Sequence, residues 1–260
     1  MKPLFLLSLL LCLSSMQAFS TEKAVSFKHE INDIFVIPQG YDTNDNIEIT
    51  FTSKLPNACF VPDEHIMKKI EDYSYQIEFR IKRRDLSECN DRQLNQFKNP
   101  IYYNETISLG ELNSGKYTVE AIYEDKIITK NFEVAKARTN SLDDTIYAPI
   151  STAFIPEMLY THQRPRLILT GIIQETCLQV QRTKIEVKRF NNMFLVLPKA
   201  FIHSSIPCRP TEKPLQKIIS LGDIEEPGVY FIHVRSQSGL SVNKVFRVRN
   251  KNFDHSGIEL

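Results

Sequence analysis

The sequence predicts an all-β protein made of two tandem antiparallel sandwiches, each closed by one internal disulfide. Three observations carry that expectation. Short apolar segments alternate with polar residues along most of the chain, the period of half-buried strands. The second half repeats the first at the spacing of a whole domain. Four of the five cysteines fall as one pair in each half.

The alternation comes first. Ile47, Ile49 and Phe51 alternate with Glu48 and Thr50, and Tyr75, Ile77, Phe79 and Ile81 alternate with Gln76, Glu78 and Arg80. Tyr117, Val119, Ala121 and Tyr123 lead through a turn at Glu124-Asp125-Lys126 into a strand from Ile127 to Val134. The second half offers the same hairpin from Val229 to Arg235, a turn at Gln237-Ser238-Gly239, and Leu240 to Val248. Only Glu64 to Glu71 and Leu86 to Phe97 have a helical reading. About seven short strands in about 110 residues, with no long helix for parallel crossovers, point to a two-layer sandwich.

The repeat is read by sliding the chain along itself. An offset of 118 lays Ile37-Pro38 on Ile155-Pro156, Ile49 to Thr52 on Leu167 to Thr170, and Cys59 on Cys177. An offset of 119 matches Cys89 to Cys208, and one of 112 matches Ser108-Leu109-Gly110-Glu111-Leu112 to Ser220-Leu221-Gly222-Asp223-Ile224. A period this long is a domain, and each copy is expected to own a core. The expected organisation is a first domain over 21–137, a polar linker over 138–145, a second domain over 146–250 and a loose tail over 251–260.

The first twenty residues read as a secretory signal: Lys2, an apolar run from Leu4 to Leu13, and small residues at Ala18 and Ser20. The run is too short to span about 30 Å of hydrocarbon, so no membrane anchor is expected after cleavage near Thr21. Cleavage removes Lys2 and no acid, leaving 31 basic against 31 acidic residues. Zero net charge argues against nucleic acid as a partner. The cluster Arg80, Lys82, Arg83 and Arg84 is offset by nearby acids such as Glu64, Asp85 and Glu88. Cys12 leaves with the signal, so Cys59, Cys89, Cys177 and Cys208 meet an oxidising compartment, secreted or periplasmic. Four cysteines allow three pairings; separations of 30 and 31 residues favour one bridge per half.

The phrase Leu-Gly-Glu/Asp-Leu/Ile, followed by Gly115-Lys116-Tyr117 in one half and Gly228-Val229-Tyr230 in the other, resembles the turn before the penultimate strand of bacterial immunoglobulin-like domains. The resemblance implies the sandwich fold and no activity. It also makes Tyr117 and Tyr230 candidates for a tyrosine corner, the hydroxyl bonding back to the chain. The chain departs from the antibody pattern in having no tryptophan and in placing Cys59 and Cys177 just after a strand. The bridges are thus expected at a loop end of each sandwich.

Motifs for chemistry are sparse, and no catalytic, cofactor-binding or metal-binding residue is expected. G-x-S-x-G is absent, and Ser114-Gly115 and Ser238-Gly239 read as turns. The histidines His29, His65, His162, His203, His233 and His255 have no ligand spacing. Asp63-Glu64-His65 reads as a loop or helix start, and Asp42, Asn44, Asp45 and Asn46 as an Asx-rich turn rather than a calcium loop. Eight scattered glycines make no phosphate cradle. Glu225-Glu226 reads as a turn, Asn104-Glu105-Thr106 as a glycan acceptor sequon, and Ile101-Tyr102-Tyr103 as strand packing. The expected function is an exported, non-enzymatic binding or structural module for a protein or glycan partner in the envelope or outside the cell. The apolar run from Met193 to Leu197 is read as partner surface or a buried strand. A periplasmic chaperone-like protein and a secreted-protease inhibitor are the alternatives.

Overall fold

The computed structural model describes residues 26–84, 89, 101–140, 145–181 and 185–251. The signal over 1–20, the helical reading around Leu86 to Phe97 apart from Cys89, the centre of the expected linker, His255 and nearly all of the tail lie outside them. The described chain is all-β with no α-helix. The first half contains β1 (Ser26–His29), β2 (Asp33–Phe35), β3 (Tyr41–Asp42), β4 (Ile47–Leu55), β5 (Phe60–Glu71), β6 (Ser74–Arg83), β7 (Ile101–Gly110), β8 (Gly115–Tyr123) and β9 (Lys126–Ala135). The second contains β10 (Ile150–Phe154), β11 (Met158–Tyr160), β12 (Arg166–Glu175), β13 (Leu178–Gln179), β14 (Ile185–Phe190), β15 (Met193–Pro198), β16 (Phe201–Ile202), β17 (Pro210–Ser220), β18 (Gly228–Arg235) and β19 (Ser241–Arg249).

Strand pairing repeats as the sequence does. A three-stranded antiparallel sheet β2-β4-β7 in the first half corresponds to β10-β12-β17 in the second. The larger sheets run β5-β6-β8-β9-β3 and β14-β15-β18-β19-β11, with β1 and the pair β13-β16 added. The register is shared as well: Ile49 faces Ile107 as Leu167 faces Ile219, and Ser74 faces Thr118 as Met193 faces Phe231. Each Ser-Leu-Gly phrase closes its turn in one way. Ser108 Oγ accepts the Gly110 N–H at 3.2 Å and Ser220 Oγ the Gly222 N–H at 3.3 Å, with both glycines at positive φ.

Two expectations are corrected. The larger sheets are mixed, not antiparallel throughout: β6·β8, β3·β9, β15·β18 and β11·β19 are parallel. The chain reverses twice between β6 and β8, through β7 in the other sheet, so strands side by side run the same way. Alternation marks the inward residues of a strand and says nothing of its neighbour. Glu64 to Glu71, including the Asp63-Glu64-His65 group, belongs to strand β5, hydrogen-bonded to β6 along its length. As an edge strand with mostly exposed or half-buried residues it lacks the two-fold period, and its charges suit an edge.

Inward residues of both sheets share one buried cluster in each half, giving a sandwich-like layering. Ile34, Ile49, Phe51, Ile77, Phe79, Tyr117, Val119 and Phe132 belong to the first cluster. Leu167, Leu169, Phe194, Val196, Tyr230, Ile232 and Phe246 belong to the second. The first cluster does not end at the boundary between halves: it takes in Tyr147, Leu195, Leu197 and Phe231 from the second half. The expectation that each copy buries its own separate core is corrected at that joint.

Candidate functional site

The joint explains which strands are buried on both faces. β15 and β18 are buried almost throughout, whereas β12 and β8 alternate between buried and open positions. Phe194, Val196, Tyr230, Ile232 and Val234 face the second core, while Leu195, Leu197 and Phe231 turn to the first half. Strands covered on both faces read as continuous apolar runs. The run from Met193 to Leu197 is such a strand, and what covers it is this chain's own first half. The four main sheets therefore form a stack in which the larger sheet of the second half lies on the β2-β4-β7 sheet of the first.

One polar network at the joint is well paired. Arg235 donates to both carboxylate oxygens of Asp45, the Nη2–Oδ2 contact being 2.6 Å, and to the Gly40 carbonyl at 2.8 Å. Its guanidinium sits 5.4 Å from the centre of the Tyr41 ring. His233 Nδ1 hydrogen-bonds Asn243 Oδ1 at 2.8 Å; Asn243 donates to Glu48 at 2.6 Å, and Ser241 donates to the same carboxylate. Burial, then the adjacent Arg235 charge, holds His233 down to a pKa of about 4. Phe35 stacks on Phe231 with centroids 5.4 Å apart. The Asx-rich turn is used here: Asp45 Oδ2 accepts the Asp42 N–H and Asp42 Oδ1 that of Asn44, while the Asp45 carboxylate meets Arg235.

The outward face of β10-β12-β17 is open. Reading across the strands, Phe154, Ile168 and Ile218 form one row, Thr152, Thr170 and Gln216 the next, and Ile172 and Pro214 a third. Phe154 is 62 % exposed, Ile172 52 % and Ile218 42 %. A groove of about 380 Å³ lined by Ile172, Gln174, Ser238 and Leu240 extends the face at one end. These side chains make an apolar patch on the outer face of the sheet.

A second candidate is a polar cleft of about 960 Å³ between Asp33 and the segments carrying Arg189, Asn192, Glu225, Glu226 and Tyr230. Burial raises the Asp33 carboxyl, against the opposing charges of Lys130 and Arg247. Two of the cleft's polar side chains bond backbone carbonyls. Arg189 donates to the carbonyls of Asn191 and Asp223, and Asn192 to that of Val229. Nearby, the Arg247 guanidinium lies 3.4 Å from the Tyr102 ring centre.

The remaining singled-out residues are dispersed. Cys59 bonds Cys89 and Cys177 bonds Cys208, with Cα separations of 5.6 and 4.7 Å, at the ends where β4 and β12 run out. The pairing is the one that the spacing favours, and it fits an oxidising, exported setting. Tyr117 and Tyr230 hydroxyls donate to the carbonyls of Asn113 and Glu226, both at 2.8 Å. Asp63 pairs with Lys82 at 2.9 Å, and His65 with Glu105, also at 2.9 Å. Asn104 is exposed on β7. Among the described residues, Glu175, Cys177 and Cys208 form a group of metal-ligand types, but both thiols are consumed by their bridge. No described helix is long and apolar enough to cross a membrane. Sequence reasoning missed Asp45, His233 and Arg235; the signal available was a His and an Arg on the inward-outward alternation of the apolar strand from Val229 to Arg235. No protein-family model, curated protein or solved structure matches this chain.

Proposed function

We propose that the chain is an exported, non-enzymatic binding module of two variant immunoglobulin-like sandwiches, which meets a protein partner through the open face of β10-β12-β17. The observation that carries the reading is the exposure of Phe154, Ile172 and Ile218 together on one face of a sheet. Apolar rows flanking a short polar one suit a protein surface. The immunoglobulin-like assignment is supported by the bonds from the Tyr117 and Tyr230 hydroxyls four residues back along the chain and by the hairpin that ends each half. Its variant feature is the parallel neighbour of β8 and of β18.

Strand addition at the β17 edge is disfavoured. Pro210 and Pro214 lack N–H donors, and Lys213 and Lys217 sit on the same strand, both devices that blunt an edge. The test compares capture of proteins from the envelope and secreted fraction of the source organism by the oxidised mature chain and by Phe154→Glu. The reading expects a saturable partner that the variant loses. Equal capture by both forms would overturn the assignment of this face.

A further inference from the structure

We infer that the occupant of the β10-β12-β17 face is a second copy of this chain, docked face to face about a two-fold axis. The inference rests on reading that face as a docking surface. The molecule itself shows that this kind of face packs against a sheet: in the first half the matching face, with Phe35, Thr50 and Thr52, is buried beneath the second half. Continuing the same head-to-tail contact would lay the outward face of β6, β8 and β9 from another copy onto Phe154 and Ile218. That face carries Ile122 and Ile127 at one end but Gln76, Glu78, Thr118 and Glu120 over the rest, and Glu78 is already held by Lys28, Lys68 and Arg80. Burying these carboxylates against aliphatic side chains costs more than the contact returns.

The three central rows of the face presented by β10, β12 and β17 hold no charge, Arg166 lying in the next row out, opposite Ser220. Of these three, the two outer rows are apolar and the middle row is Thr152, Thr170 and Gln216, side chains that both donate and accept hydrogen bonds. A two-fold axis therefore sets apolar rows on apolar rows and self-complementary polar groups on one another. With 31 basic and 31 acidic residues in the mature chain, the copies approach without net repulsion. Such an isologous contact closes at two chains, whereas a head-to-tail one grows.

Sedimentation velocity of the oxidised mature chain over about a hundredfold range of concentration tests this. The mass should rise from one chain to two and stop there. Phe154→Glu and Ile172→Lys should remain single chains, and Gln216→Glu, which sets like charges face to face, should move the midpoint to at least about tenfold higher concentration. Ile127→Lys, at a position 62 % exposed on β9 of the first half, should dimerise as the parent does. Near-ultraviolet circular dichroism verifies that each variant is folded, and Gln216→Glu, a change of one exposed polar side chain, keeps the test open if an apolar-face variant is not. A parent that stays single, a dimer indifferent to the face variants, or growth beyond two chains would each overturn the inference. A single-chain parent whose partner capture is lost in Phe154→Glu overturns the dimer alone and leaves the binding reading standing; loss of both effects sinks both.

Discussion

Strands β4 and β12 pair with β7 and β17 in one register, yet their outward residues have opposite fates. Thr50 and Thr52 are 1 % and 2 % exposed and Phe35, opposite Thr50, is 2 % exposed, whereas Ile172 is 52 % exposed and Phe154, which stands opposite Ile168 as Phe35 stands opposite Thr50, is 62 % exposed. The more polar face is the covered one. It can be covered because its hydroxyls are answered, Thr50 Oγ1 and Thr106 Oγ1 lying 2.7 Å apart, and because Phe231, Leu195 and Leu197 reach it from the second half. Position in the stack of sheets, not the polarity of the face, decides which sheet is internal.

The largest effect that would break this contrast lies at the joint. Phe231→Ala should lower stability by about 3 to 5 kcal/mol, as for a fully buried aromatic, while Phe154→Ala should change it by less than about 0.5 kcal/mol in a monomer at high dilution. Chemical denaturation of both variants checks the pair; equal losses would mean that the two faces are equally buried. Removing one partner of the buried ion pair, as in Asp45→Ala or Arg235→Met, should also cost about 3 to 5 kcal/mol, with the double Asp45→Leu, Arg235→Met variant close to the parent. A double variant no better than either single would show that the pair is worth more than its desolvation.

Next in size are the bridges, whose loops of 30 and 31 residues should weigh nearly equally. Replacing both cysteines of either bridge by Ser should cost about 3.6 kcal/mol on the chain-entropy model. A large inequality between the halves would reveal that one loop stays ordered without its bridge.

His233 sharpens the comparison through pH. Its folded pKa of about 4 lies below its ordinary 6.5, so neutral burial contributes stability that is fully present above 6.5 and is lost as the pH falls from 6.5 through 4. The loss amounts to about 3 kcal/mol over that window. Thermal midpoints of the parent and His233→Gln should diverge at neutral pH and converge as the solution is acidified. The smallest effects belong to the corner hydroxyls: Tyr117→Phe and Tyr230→Phe should each cost about 1 kcal/mol in denaturant unfolding.

Much of this was legible before any coordinates. Cys59 and Cys177, at one offset, announce bridges in matching places, and the Ser-Leu-Gly phrases announce matching turns, because covalent closure and backbone sterics act within short stretches of chain. The alternation from Tyr117 to Tyr123 shows which side chains point inward. Phe60 to Glu71 was not legible as a strand, since an edge strand with little to bury has no period to read. Asp45, His233 and Arg235 were not legible as one network, because Asp45 lies 188 residues from His233 and 190 from Arg235.

The sequence by itself determined the two copies, their alternating strands, their turns and the favoured cysteine pairs, all of which follow from local periodicity and from similarity at a nearly constant offset. Only the tertiary structure decided that β6 runs parallel to β8, that the halves share a buried joint, and that the apolar run at Met193 to Leu197 is hidden while the face with Phe154, Ile172 and Ile218 is open. The physical reason is that burial depends on what approaches a strand from the far side, and a pattern of apolar residues records how much surface seeks cover without recording what supplies it.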